Sequence, residues 1–244
     1  MIYLGAIMPD GVLVVGIIFL AAIAQSITGF GFALIAVSLL TTVLGLQTTV
    51  PLVSVMSLFS NGILWYFYRH EFDRPMVLRL SLAGMVAMPL GVLALRHVPQ
   101  HLAIQVLGVV IVAYVLYDFC NLALPPLKAQ AWVYGIGFLA GLLTGAYNVG
   151  GPPVVLYGNC QKWTPQMFRS NLPAFFLINS AMAIVVHLLQ GNYTAEVWRY
   201  ALYSTPLFIL GLGMGAAIAR QLNPALFRKV VLVLLFLTGL NLLR

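Results

Sequence analysis

Two short glycine-rich segments interrupt long apolar stretches of this chain, and each could expose backbone N–H groups at a helix start. The first is Gly29–Phe32 and the second is Asn148–Pro153. In the second, Gly150 and Gly151 suit a turn, and Pro152 suits a first helical turn, where a missing N–H costs nothing. Free N–H groups and the positive end of a helix dipole bind anions without a buried cation. The two breaks therefore indicate an anion site if folding brings them together.

Polar side chains surround both breaks and could complete such a site. Any one of them would also be explained by an interhelical hydrogen bond, so their concentration around the breaks is the informative feature. Asn61 and Ser180 are further polar residues on apolar segments. We expect the substrate-binding residues to be Gln25, Ser26, Thr28, Gly29, Gly31, Thr144, Tyr147, Asn148, Gly150, Gly151, Pro152, Arg169, Asn171 and Asn179.

Two ionisable residues, Arg169 and His187, each allow two interpretations. Arg169 is either a cytoplasmic anchor or a guanidinium at the cavity mouth that attracts an anion. His187 is either a packed residue or a proton relay, since histidine titrates near neutrality. Asp118 lies near a helix end, where it can reach water. The apolar stretches otherwise lack ionisable residues, so a buried carboxylate for sodium or proton coupling is not evident, and proton coupling stays open.

The composition requires a membrane environment. Of 244 residues, 62% are hydrophobic and 7% are charged, against about 25% charged in soluble domains. Several apolar stretches approach or exceed the roughly 20 residues that cross a bilayer. We therefore predict an all-α polytopic membrane protein, with residues 1–244 in a single membrane domain and a retained N-terminal segment. The net charge of +7 contains no basic run, so we expect a lipid bilayer and a small anion as partners, and no nucleic acid.

The two halves of the chain match in order, with a slowly rising offset. Repeat one covers about residues 10–122 and repeat two about 131–244. Each holds a glycine-broken stretch followed by three ordinary spans. The matched pairs are Gly31 with Gly150, Pro51 with Pro173 and Pro99 with Pro224, which are 119, 122 and 125 residues apart.

The length of the first broken stretch indicates how the halves are oriented. Val12–Leu44 has 33 residues, about 50 Å as one helix at 1.5 Å per residue, which exceeds a hydrocarbon core of about 30 Å. It must fold back, either as a re-entrant hairpin or as two short crossings. New half-helices over Ala33–Leu44 and Pro152–Cys160 would follow the breaks. Both alternatives give each half an odd number of crossings, so the halves would be inverted.

The distribution of basic residues favours this inversion. Inverted halves put nine lysines and arginines on one side and three on the other, whereas parallel halves would divide them six and six. The positive-inside rule favours the uneven division. We therefore predict two inverted repeats, a cytoplasmic nine-charge side and both termini outside, with the two breaks meeting near the midplane.

The sequence resembles the TauE/SafE sulfite-exporter-like permeases (TSUP) over nearly its whole length. The resemblance is carried by Thr28–Leu34, by Gly145–Tyr157 and by Arg169 with Pro173–Phe176. It implies export or uptake of small sulfur-containing anions, such as sulfite or organosulfonates, across the bacterial cytoplasmic (inner) membrane. It does not select one substrate.

We therefore expect a secondary transporter, as an exporter, that holds its substrate between paired half-helix N-termini and works by alternating access. An anion-selective channel that uses the same constriction is the alternative. An intramembrane enzyme would need a carboxylate pair, a metal cluster or a nucleophile–base pair, and the sequence offers none that can be assigned. No cofactor and no metal are expected, and the oligomeric state is not determined.

Overall fold

The computed structural model describes residues 9–69, 72–120, 125, 127, 129–219 and 224–244. Residues 1–8 of the expected N-terminal segment, and Lys128 and Arg220 of the charge count, lie outside the described residues. Within those ranges the chain forms nine α-helices and no strand. They are α1 (Pro9–Thr28), α2 (Phe32–Tyr68), α3 (Arg74–His97), α4 (Gln100–Phe119), α5 (Ala131–Tyr147), α6 (Gly151–Cys160), α7 (Pro165–Leu189), α8 (Ala195–Ile218) and α9 (Pro224–Leu242).

The all-α polytopic prediction is confirmed for these residues. Six of the described helices are long and apolar enough to cross a bilayer, and α5 is a shorter apolar helix. Many large apolar side chains point outward, including Val86 at 70% exposed and Leu202 at 71% exposed. Such a surface is suited to lipid rather than to water.

Both glycine breaks interrupt the helices where the sequence predicts. After α1, Gly29 and Gly31 adopt φ values of 82° and 111°, which only glycine accepts without strain. The following α2 is itself interrupted at Gly45, where φ is 71° and ψ is 166°. Its first part, residues 32–44, is therefore a short helix that matches the expected half-helix.

The second break has a similar form. Asn148 ends α5 with a left-handed backbone (φ 54°), and the 10-residue α6 begins at Gly151 with prolines in its first turn. The N–H of Asn148 donates to the Thr144 carbonyl at 2.7 Å, as the N–H of Gly29 donates to the Gln25 carbonyl at 2.8 Å. Each break thus follows a long helix and precedes a short one.

Small residues allow two helix pairs to pack closely. α3 packs along α5, where a Cβ on Gly141 would lie 2.1 Å from the Gly84 carbonyl oxygen. α1 packs along α8, where a Cβ on Gly215 would lie 2.6 Å from the Ile23 carbonyl oxygen. Close backbone approach at glycine is the usual way for membrane helices to associate.

These two pairs run in the same direction. On α5, Gly137 and Gly145 face the carbonyl oxygens of Leu80 and Met88 of α3 in the same order along both helices. On α8, Gly211 faces Phe19 of α1 just as Gly215 faces Ile23 further along.

Two other pairs run antiparallel. Near one end of α4, Asp118 pairs with Arg228 at the start of α9, and further back Gly108 faces Gly239 near the end of α9. For α2 and α7, the Arg169 guanidinium lies 5.8 Å from the Tyr68 ring centroid at one end. At the other end, Ser54 of α2 contacts the segment that follows α7.

Candidate functional site

A small cavity of about 30 Å³, lined by both polar and apolar residues, lies where the two breaks meet. This volume is enough for one or two water molecules. We call it the central cavity. It is lined by Gln25, Phe30, Gly31, Phe32, Ala33, Leu34, Ser57, Asn61, Thr144, Asn148, Val149, Gly151, Phe176, Asn179 and Ser180.

A buried amide network joins the two breaks across this cavity. The Gln25 Nε2 donates to Asn61 Oδ1 at 3.2 Å, and the Asn61 Nδ2 donates to the Ser57 carbonyl at 2.8 Å. From the other break, Asn148 Nδ2 donates to Ser57 Oγ at 3.0 Å. Since all four side chains are buried, these hydrogen bonds fix the distance between the break tips.

The start of α2 offers backbone donors to the cavity. The Phe32 N–H is capped by Gln25 Oε1 at 2.9 Å. The N–H groups of Ala33 and Leu34 belong to the same first turn, where the helix supplies no acceptor, and both residues line the cavity. The positive end of the α2 dipole therefore points into the central cavity.

The start of α6 offers fewer donors. Its N-cap, Gly150, receives no side-chain hydrogen bond, and its first turn contains Pro152 and Pro153. Proline has no N–H, so Gly151 is the first-turn residue of α6 that lines the cavity with an N–H group. The sequence predicts N–H donors at the starts of both half-helices, and the proline pair leaves α6 with fewer of them than α2.

The rest of the cavity wall is neutral. Asn179 is fully buried, and its Nδ2 donates to the Phe175 carbonyl at 2.9 Å and to Ser81 Oγ at 3.3 Å. Its Oδ1 has no hydrogen-bond partner among the described residues. None of the lining side chains is ionisable. Binding here would therefore rest on N–H and hydroxyl groups rather than on charge.

Two larger cavities lie on the Arg169 side of the breaks. The first, of about 440 Å³, is bordered by Thr28, Gly29, Phe30, Trp163, Phe168, Arg169 and Arg228, among others, and we call it the arginine vestibule. The second, of about 710 Å³, is bordered by Ser26, Phe67, Tyr68, Arg169 and several residues of α8, and we call it the α8 vestibule.

The two vestibule arginines have different surroundings. Arg228 pairs with the buried carboxylate of Asp118 and lies 6.0 Å from the centroid of the Phe30 ring. Arg169 is exposed and borders both vestibules. Within the described part of the chain, the Asp118–Arg228 pair is the one ion pair found. The positive charge of Arg169 thus faces the vestibules without a carboxylate partner there.

The predicted site residues separate into three groups. Gln25, Gly31, Thr144, Asn148, Gly151 and Asn179 line the central cavity. Ser26, Thr28, Gly29 and Arg169 border one or both vestibules. Tyr147, Gly150, Pro152 and Asn171 are buried outside the linings of these three cavities.

Two of the residues outside the linings have clear structural contacts. A Cβ on Gly150 would lie 2.2 Å from Thr144 Oγ1 and 2.7 Å from the Ala140 carbonyl oxygen. Gly150 therefore lets the break pack onto α5. Asn171 Oδ1 accepts a hydrogen bond from the Asp73 N–H at 2.9 Å, which ties α7 to the start of α3.

The predicted site leaves out many of the residues that line these cavities, among them Ser57, Phe176 and Arg228. Ser57 lines the central cavity and lies 122 residues before Asn179, the same offset as the repeat, so the repeat alignment contained its signal. Phe176 also lines it, and Arg228 borders the arginine vestibule. Neither of these two differs in the sequence from an ordinary packing residue or helix-end anchor.

His187 lies outside the central cavity, in a cluster near the end of α7. Its Nδ1 lies 2.9 Å from Asn192 Nδ2, and its ring packs edge-on against Tyr193 at 6.4 Å between centroids. The Tyr193 hydroxyl lies 2.7 Å from Ser54 Oγ. Burial raises the pKa of Tyr193, in the α7–α8 connection, to about 12. This cluster closes the end of α7 opposite Arg169.

Comparison with known proteins agrees with this architecture. The family model for Sulfite exporter TauE/SafE matches residues 14–242. The chain is 25% identical over 227 residues to the probable sulfite/organosulfonate exporter TauE of Cupriavidus necator, covering 90% of this chain and 88% of that one. It is 28% identical over 116 residues to the probable inner membrane transporter protein TsaS of Comamonas testosteroni, covering 46% and 47% respectively. No solved structure matches the chain. Both relatives bear names of transport proteins, in agreement with the expectation that this chain is not an enzyme.

Proposed function

The chain belongs to the sulfite exporter TauE/SafE family, and on that basis we propose that it is a secondary transporter of a small sulfur-containing oxyanion. Sulfite and organosulfonates are the proposed substrates, because the Cupriavidus relative is named for them. We propose the bacterial inner membrane as its location, following the name of the Comamonas relative, and export as the direction.

The observation that carries this proposal is the central cavity between the two break tips. It combines the first turn of α2, with the N–H groups of Ala33 and Leu34, and the N–H of Gly151 at the start of α6. A sulfur oxyanion is larger than one or two water molecules, so the cavity of about 30 Å³ would have to widen to bind it. An oxyanion held there would accept several hydrogen bonds and lie at the positive ends of two helix dipoles. Neutral donors bind an anion without a permanent counter-ion, which leaves the anion free to be released.

Alternating access requires two related units, and the packing supports such a relationship. In the repeat, α1 is equivalent to α5 and α3 is equivalent to α8. The repeat therefore relates the close pair α1–α8 to the close pair α5–α3. The repeat-equivalent helices α4 and α9 run antiparallel, as do α7 and the part of α2 that carries Pro51. A repeat whose equivalent helices are antiparallel is inverted rather than parallel, so these contacts support two inverted repeats.

Matched aromatic pairs support the repeat itself. Trp65 and Phe72 pack edge-on at 6.5 Å between centroids, and His187 and Tyr193 do so at 6.4 Å. The members of the two pairs are 122 and 121 residues apart. The first pair lies at the α2–α3 connection and the second lies at the α7–α8 connection. Under an inverted repeat, the two pairs would occupy opposite membrane faces.

The direct test is uptake of anions into proteoliposomes that contain the purified protein. Labelled sulfite, an alkylsulfonate, sulfate and chloride would be offered in turn, with and without a pH gradient. We expect saturable uptake of sulfite or the sulfonate, with sulfate and chloride much weaker. A dependence on the pH gradient would establish proton coupling, for which His187 is the candidate.

The same experiment separates the transporter from the channel. A transporter saturates at modest substrate concentration and turns over slowly, whereas a channel conducts in proportion to the gradient. Equal flux of chloride and sulfite, without saturation, would contradict the transporter proposal. Failure of every sulfur anion to move in folded, correctly inserted protein would contradict the substrate class.

The proposed inversion has its own test. Single cysteines placed in the α2–α3 and α7–α8 connections, in a variant without Cys120 and Cys160, would be labelled with a membrane-impermeant maleimide. We expect labelling from opposite sides of the membrane. Labelling of both from one side would rule out inverted repeats, and the side on which each terminus is labelled would establish the orientation.

A further inference from the structure

One side chain separates the central cavity from the larger space beyond it. Phe30 borders both the central cavity of about 30 Å³ and the arginine vestibule of about 440 Å³. Its ring is partly exposed, in contrast to Val149, which follows 119 residues later in the second break and is 1% exposed. Val149 lines the central cavity and does not border either vestibule. The two breaks therefore differ at this position in the size and the placement of the side chain.

The backbone around Phe30 holds the ring at the tip of the break. Gly29 and Gly31, on either side, have positive φ values of 82° and 111°. The Thr28 hydroxyl contacts the Phe30 carbonyl oxygen and lies 3.4 Å from the Phe30 N–H. The ring is thus presented by a turn that only glycine neighbours permit.

On the vestibule side, an arginine lies near the Phe30 ring. The Arg228 guanidinium lies 6.0 Å from the Phe30 ring centroid, within the range of a cation–π contact. Arg228 is itself held by Asp118 of α4. Phe30 therefore forms an apolar wall with neutral N–H donors on one side and an arginine on the other.

Such a wall limits the size of the organic substituent on a bound oxyanion. The oxygen atoms of a sulfur oxyanion would occupy the N–H donors of Ala33 and Gly151, and any organic substituent would have to point away from them. Phe176 closes the cavity near Gly151, since its Cζ would lie 3.5 Å from a Cβ on that glycine. Among the described residues, Phe30 is the one lining residue that the central cavity shares with either vestibule, so a substituent that extends toward the Arg169 side would meet its ring.

From this placement, we infer that Phe30 is a specificity-determining residue that sets the size of the substituent on the transported oxyanion. The inference rests on the proposed function, because it assumes that the oxyanion binds in the central cavity. Removal of the ring would join the central cavity to the arginine vestibule, so that larger substituents fit. A larger ring would have the opposite effect.

The test is the substrate preference of Phe30 variants in proteoliposomes. Sulfite, methanesulfonate and benzenesulfonate would be compared by their ability to inhibit uptake of whichever labelled anion the unmodified protein transports best. We expect Phe30→Ala to shift the preference for benzenesulfonate over sulfite by roughly tenfold, the scale of discrimination by apolar packing. Phe30→Trp should shift it the other way.

Controls separate this role from a structural one. Phe59 is on α2 and 58% exposed on the outer surface, so Phe59→Ala should leave the preference unchanged. If Phe30→Ala fails to fold, Phe30→Leu keeps an apolar side chain and still removes the ring. A folded Phe30 variant that weakens all three anions equally, or leaves their order unchanged, would overturn the inference. Absence of uptake by the unmodified protein would instead count against the proposed function.

Discussion

Gly150 and Gly151 are adjacent in the second break, yet the structure predicts different consequences for the same substitution. A Cβ on Gly150 would lie 2.2 Å from Thr144 Oγ1 and 2.7 Å from the Ala140 carbonyl oxygen. The carbonyl belongs to the α5 backbone and cannot move without bending that helix. A Cβ on Gly151 would meet only the Phe176 ring, at 3.5 Å, which is an ordinary contact.

Gly150→Ala should therefore act on stability. Overpacking of this kind costs about 1–3 kcal/mol, and a chain of this length loses roughly 2–4 °C of Tm per kcal/mol, so we expect a Tm lower by roughly 2–12 °C. Gly151→Ala should leave the Tm nearly unchanged. Because its methyl group would enter a cavity of about 30 Å³, we expect at least a tenfold loss of transport, roughly 1.4 kcal/mol of lost binding.

The assay combines thermal unfolding of the purified protein, followed by fluorescence of its four tryptophans, with uptake by proteoliposomes. Thr144→Ala in the Gly150→Ala background supplies a matched control. It removes the 2.2 Å contact and leaves the 2.7 Å contact with Ala140, so it should restore part of the lost Tm. Equal Tm losses for the two glycine variants would refute this reasoning. So would normal transport by Gly151→Ala.

Four further variants and one change of condition test separate parts of the protein. Gln25→Glu keeps an acceptor for the Phe32 N–H but loses the donor to Asn61 Oδ1 and buries a carboxylate, so both uptake and Tm should fall. Gln25→Leu should cost about 1–3 kcal/mol of stability because the Phe32 N–H loses its buried acceptor. Arg169→Ala should raise the KM for an anion and reduce its dependence on salt, measured by uptake at two ionic strengths. Tyr193→Phe removes the hydrogen bond to Ser54, which should cost about 1 kcal/mol of stability and lower the Tm. The KM for a permanently ionised sulfonate should stay constant between about pH 6 and about pH 9, because no ionisable side chain among the described residues lines the cavity; a change in this range would contradict a neutral cavity wall.

Much of the helical pattern could be predicted because its causes are local. Clustered glycines and prolines stop helices through their own backbone preferences, so the breaks at Gly29–Phe32 and Asn148–Pro153 were evident from the residues themselves. Single ones such as Pro51 and Gly141 lie inside helices. The end of the short helix before Gly45 has the same origin. Apolar length alone identified the long spans. None of these features depends on a contact with a distant part of the chain.

The cavity itself could be predicted only in outline. Ser57 joins the amide network through Asn148, which is 91 residues away, and the Asp118–Arg228 pair spans 110 residues. Neither contact follows from local sequence, because each depends on how the helices pack. The sequence left Arg169 as either an anchor or a guanidinium at the cavity mouth, and only the packing places it at the vestibules rather than in the central cavity. Polar type and proximity to a break were sufficient to find candidates, but not to order them around the cavity.

The two breaks occupy equivalent places in the repeat but contribute different chemistry. At matching positions 119 residues apart, the first break has Gln25 and Phe30, where the second has Thr144 and Val149. The Gln25 side chain caps the start of α2 and so orients a first turn that has N–H groups to offer, whereas two prolines remove N–H groups from the start of α6. The proline pair made the second break the more conspicuous signal in the sequence. Since prolines cannot donate, an oxyanion in the central cavity should lie closer to α2, and the second break should act mainly by shaping the wall opposite it.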